Sequence, residues 1–150
     1  MPEKQTLERA RRDRRQGKSA STQAGEFVRE EMHHIREGKH GARSSKQAIA
    51  IGLSKARRAG VPLRPPARGK TSEKTRRSAM SAYRKGRRHQ PISRTRSEAR
   101  SKALRHEGRA AASHRALSRQ ARSAARRRSR ATRSTAAWKA ARTRARQRRR

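Results

Sequence analysis

The chain has 150 residues, 46 of them Lys or Arg against 10 Asp or Glu, for a formal net charge of +36. With 29% hydrophobic and 2% aromatic residues it falls in the disordered class, because so little apolar surface can offset the entropy of ordering. No 18-residue apolar run is present for a membrane span, and the lack of Cys excludes a disulfide framework and thiolate chemistry.

Residues 1–18 read as a basic N-terminal arm with 7 basic and 3 acidic groups. Its Glu3, Glu8 and Asp13, and its lack of an apolar core, argue against a signal or transit peptide, so the expected location is cytoplasmic. The next segment, residues 19–37, is acidic, and a helix is predicted over about 22–37. Ser21 or Thr22 can cap it, Ala24, Val28, Met32 and Ile35 form an apolar stripe, and Gly38 can end it. Glu26, Glu30, His33 and Glu37 then lie on a solvated face.

A second helix is predicted over about 45–59. Ser44 with Gln47 matches a capping box, Gly60 is a left-handed stop, Val61 can pack back on Ala56, and Pro62 forbids continuation. Ile49, Gly52, Leu53 and Ala56 share one face, while Gln47, Ser54, Lys55 and Arg58 share the other with Ile51. The connection GKHGARS lets the two helices fold back, giving a helical hairpin module over 19–63. Of 17 large apolar or aromatic residues in the chain, nine lie between Phe27 and Leu63, enough for one marginal core. The hairpin also offers a surface on which two copies can pair.

Residues 64–71 read as a Pro-rich linker, and residues 72–90 as a basic segment with a short third helix over 72–85 ended by Gly86. Residues 91–150 form a tail of Arg, Ala and Ser carrying 21 basic and 2 acidic groups. Its helix propensity is opposed by self-repulsion, so it is expected to be disordered and to become helical only on binding phosphates. The fold expected from these readings is a mostly disordered, all-α chain organised by one two-helix hairpin.

The stretch TQAGEFVREEMHHIREGKHGARSSKQAIAIGLSKARRAGV, residues 22–61, resembles a family of small basic bacterial proteins of uncharacterised function, often labelled DNA-binding or plasmid-stabilisation. The resemblance implies a bacterial host and association with DNA, and supplies no mapped site. The tail is similar to the basic, alanine-rich arms of linker-histone-like proteins, with arginine in place of their lysine and proline.

A charge surplus this large calls for a polyanion, since neutralising phosphates releases condensed counterions. Arginine outnumbers lysine 36 to 10, which favours bidentate phosphate contacts. Candidate contacts are Arg43, Lys46, Gln47, Lys55, Arg57 and Arg58 on and beside the second helix, with Ile51 placed for a thymine methyl. Further candidates are Arg76, Arg77, Arg84, Lys85, Arg87 and Arg88 in the third, and Arg126, Arg127, Arg128 and Arg130 in the tail. Trp138 could stack on a base, but reads better as an incidental or anchoring aromatic. His33, His34 and His40 with Glu30 and Glu37 invite comparison with a metal site, but read better as surface groups at a helix end, so no metal and no cofactor are expected. No phosphate-cradling glycine loop, nucleophile elbow or catalytic carboxylate pair occurs, and no enzyme is expected. The expected function is sequence-tolerant DNA binding in the nucleoid. RNA or ribosome binding, and a protein-interaction module localised by its tail, are the alternatives; a membrane partner is not expected.

Overall fold

The computed structural model describes residues 2–148, and every regular element in them is helical. In chain order these are α1 (Lys4–Arg15), α2 (Ala20–Arg36), α3 (Ser45–Arg58), α4 (Glu73–Arg87), α5 (Arg94–Arg105), a 3₁₀ turn (Ala110–Ala112), α6 (His114–Arg126) and α7 (Arg130–Arg148). The chain forms two compact units, Met1–Ser113 and His114–Arg150. Among the described residues, no helix is long and apolar enough to cross a membrane.

This all-α, seven-helix architecture overturns the expectation of a mostly disordered chain with a lone helical hairpin. The reason lies in the kind of core it uses. Among the described residues, nine of the fourteen buried apolar ones are alanine, from Ala10 in α1 to Ala112 in the 3₁₀ turn. Alanine loses no side-chain entropy on burial, and helices faced with it approach closely. Counting only bulky residues therefore underestimates what this chain can bury. Phe27 and Ile35 are fully buried and supply the larger contributions, each roughly 1.5–3 kcal/mol.

In the first unit α2 is central, packed between α1 and α3, and α3 packs in turn on α4. Local signals set the ends. Ser19 Oγ caps α2 by accepting from Thr22 N, two residues earlier than the sequence suggests. Ser44 Oγ caps α3 by accepting from Gln47 N, while Gln47 Oε1 accepts from Arg43 N at 2.7 Å. At the other end of α3, Gly60 is left-handed (φ +87°) and Val61 N donates to Ala56 O.

Two glycines mark where helices cross. A Cβ on Gly52 of α3 would meet Val28 Cα of α2 at 2.7 Å, and one on Gly86 of α4 would run into the Arg57 carbonyl oxygen of α3. Gly86 therefore does not end α4 as expected; it lies buried inside the helix, where α4 crosses α3.

The segment read as a free N-terminal arm is helix α1, with Thr6, Ala10 and Asp13 buried along one face and Leu7 against the core that holds Phe27. Arg9 Nε reaches Glu26 at 2.8 Å, tying α1 to α2. The segment beyond residue 91 is not a loose tail either. Gly41 N donates to Leu104 O, Ala42 N to Gly108 O, and Ser45 Oγ to Ala111 O, stitching the α2–α3 connection to the end of α5 and the 3₁₀ turn.

In the second unit α6 and α7 are helices of the chain's own fold, which corrects the expectation of helix only on binding. Ser129 Oγ caps α7 through Thr132 N, Ser118 Oγ accepts from Arg122 of α6, and the Arg142 guanidinium lies 5.5 Å from the Trp138 ring centroid. Strong Arg and Ala propensities with these local interactions offset the like-charge repulsion.

Candidate nucleic-acid interface

Helix α4 separates its residues cleanly. Ala79, Ala82 and Gly86, at i, i+3 and i+7, are buried toward α3. The opposite face carries Arg77, Arg84 and Arg88, which with Arg76 and Lys85 on its flanks and Met80, Ser81 and Gln90 line an open groove of about 490 Å³. Small residues on one side bring the helix close to its neighbour, and long cationic stems on the other form the walls of the groove. Within it Arg76 meets Glu73 at 3.6 Å, and its buried Nε has no hydrogen-bond partner. Arg87 is exposed on the same helix. Arg58 reaches this region from α3, donating through Nη2 to the carbonyls of Gln90 and Pro91 at 3.3 and 3.2 Å.

Two further cations of α3, Arg57 and Lys55, are engaged within the fold. Arg57 is only 7% exposed, its Nε donates to Leu63 O, and burial pulls its guanidinium below its ordinary pKa. Lys55 lies 2.6 Å from Glu31 and 3.4 Å from Glu30, both on α2 and both buried. Glu30, expected on a solvated face, is thus an interior group. Gln47 is used as a cap, and Ile51 is half-buried. Arg43 and Lys46 remain exposed at the start of the helix. Flanked by α2 and α4, α3 does not gather Gln47, Lys55, Arg57 and Arg58 on a free face.

In the second unit Arg126 and Arg127 join Arg119, Arg122 and Ser123 along a shallow groove of about 480 Å³ on α6. Arg128 and Arg130 are exposed on either side of the turn into α7. Sequence reasoning does not single out Arg119 and Arg122. Their signal is the 119, 122, 126 spacing, which becomes one face only once the segment is granted to be helical.

The histidines sort differently from their sequence grouping. His33 is exposed beside Glu37, whereas the ligand atoms of His34 and His40 lie within 4.8 Å of each other and of buried Glu31. His34 Nε2 is 2.8 Å from Glu3 Oε1. That interaction, followed by the one with Lys39, holds the Glu3 carboxyl below its ordinary pKa.

The chain matches no protein-family model, no curated protein and no solved structure at a significant level. Its grooves must therefore be read from their own chemistry.

Proposed function

We propose that this protein binds duplex DNA through its phosphates with little preference for base sequence, as a component of the bacterial nucleoid. The observation that carries this reading is the two-sidedness of α4. Its small residues face α3, and Arg76, Arg77, Arg84, Lys85 and Arg88 line a groove open to solvent. Cations held at helical spacing along a rigid element suit a row of phosphates, and arginine forks add bidentate geometry. The second unit carries its own arginine groove on α6, so each unit presents a phosphate-binding face. The bacterial setting is what the resemblance over residues 22–61 implies, and the nucleoid is where sequence-tolerant DNA binding would place the chain in such a cell.

Binding of this kind makes affinity fall steeply with salt, by about 0.9 in the log–log slope for each phosphate neutralised on B-form DNA. The test is a titration of the full chain against duplex DNA, duplex RNA and single strands of matched length at several salt concentrations. Support would be tight, sequence-indifferent binding to duplex DNA with a steep salt slope. A clear preference for structured RNA at physiological salt would overturn the DNA reading, and binding undiminished in half-molar salt would overturn the phosphate mechanism.

A further inference from the structure

We propose that Glu31, His34 and His40 form a binding site for a divalent transition-metal ion, with zinc the ion best suited to the donors. The reading is independent of nucleic-acid binding, and it begins with how the chain brings the three groups together. Glu31 and His34 are three residues apart in α2 and share one face in its last turns. The left-handed Gly38 (φ +79°) then reverses the chain, and His40 returns toward that face. The next two residues are pinned by their N–H groups to the Leu104 and Gly108 carbonyls, so the loop carrying His40 is held in place.

The geometry around His40 calls for a cation. Its Nδ1 lies 3.1 Å from the Gly41 carbonyl oxygen, an acceptor, so Nδ1 carries the proton there. Its Nε2 faces Glu31 Oε1 at 3.2 Å. A neutral ring donating from Nδ1 would set a nitrogen lone pair against a carboxylate oxygen; a proton or a metal ion between them removes the conflict. An outer ring nitrogen fixed on a backbone carbonyl, with the inner one aimed at a carboxylate, is the arrangement that orients a histidine ligand. The 3.2 Å separation also suits two donors about 2.0–2.1 Å from one zinc ion.

Glu31 adds a second reason. It is fully buried, and neither carboxylate oxygen has a neighbour in hydrogen-bonding geometry, although Lys55 Nζ lies 2.6 Å from Oε2. Lys55 is shared with buried Glu30, so one ammonium serves two interior carboxylates. Lys39 likewise serves both Glu3 and Glu37, so around the cluster each of these two ammonium groups is shared between two negative charges. A divalent ion on Oε1, with Lys55 kept on Oε2, balances them. Glu3, 2.8 Å from His34 Nε2, lies beside the three ligands rather than among them.

The test is calorimetric titration of the metal-stripped full chain with zinc chloride, without nucleic acid, with parallel cobalt(II) visible spectra. Expected are one saturable equivalent per chain and at least about tenfold weaker binding for His34→Ala and for His40→Ala, with His33→Ala unchanged. Circular dichroism checks that the variants fold. If a ligand variant does not fold, the wild-type chain decides: zinc should shift the ring resonances of His34 and His40 and leave those of His89, His106 and His114 in place. Lack of saturable binding, equal weakening by His33→Ala, or unmoved His34 and His40 resonances would each overturn the proposal.

Discussion

Helices α3 and α4 invite comparison because they are built to a similar plan and end with different duties. They are 14 and 15 residues long, each is capped by a serine, and each ends in a basic last turn. Both carry a glycine that another backbone approaches closely. The difference is their neighbours. α3 is flanked by α2 and α4 and touched by the 3₁₀ turn, while α4 leans on α3. Lys55, Arg57 and Arg58 of α3 are accordingly drawn onto buried glutamates and backbone carbonyls, whereas Arg77, Arg84, Arg87 and Arg88 of α4 stay open to solvent. A cationic face is a property of a helix; whether it can meet a phosphate is decided by what packs around it.

Substitutions at the two helices should therefore separate stability from binding, and Lys55 should give the largest effect. Lys55→Met leaves Glu30 and Glu31 buried without their shared counter-ion, and breaking a buried pair in this way costs about 3–5 kcal/mol. Urea unfolding followed by circular dichroism should show the loss; a change under about 1 kcal/mol would mean that Lys55 is not the main counter-charge. Gly86→Val comes next. The new side chain would collide with the Arg57 carbonyl, and overpacking of this kind costs about 1–3 kcal/mol. Unchanged stability in the same assay would show that the α3–α4 crossing is loose enough to part.

The features that sequence reasoning locates are those written in neighbouring residues. Ser44 with Gln47 at the start of α3, and Gly38 and Gly60 past the ends of α2 and α3, act through their own backbone and side-chain bonds, so they read directly. What stays hidden depends on residues far apart. Nothing near Gly86 announces that it meets Arg57, and nothing near Gly41 announces its bond to Leu104. The burial of Glu30 and Glu31 follows from α2 having neighbours on both sides, which the single stripe of Ala24, Val28, Met32 and Ile35 does not reveal. Expecting disorder amounts to leaving alanine out of the core. At the candidate interface the cations of α4 are visible as residues, but their freedom from packing is not. Grouping His33 with His34 and His40 fails for a related reason, since adjacent residues on a helix point about 100° apart.

A cap tests the local side of the comparison with a smaller effect. Ser44→Ala removes the hydroxyl that accepts from Gln47 N, and such a loss costs about 1 kcal/mol. The measured quantity is the urea midpoint at constant slope, and no shift would mean that the hydrogen bond from Arg43 N to Gln47 suffices to start α3.

The smallest expected change in stability belongs to the variant with the clearest change in binding. Arg77→Ala, Arg84→Ala and Arg88→Ala together remove three guanidinium groups from the outer face of α4, opposite Ala79, Ala82 and Gly86. Surface substitutions of this kind usually stay within about 0.5 kcal/mol each, and alanine is the best helix former, so folding should be nearly untouched. Binding should respond differently. Each phosphate left without its cation lowers the log–log salt slope by about 0.9, and the combined effect of three would be unmistakable between dilute and moderate salt. The weakening should also be the same for unrelated DNA sequences, because phosphates carry no base information. If the triple variant bound duplex DNA with an unaltered salt slope, the contrast between α3 and α4 would be one of packing alone, and the phosphates would have to be met by cations outside the α4 groove.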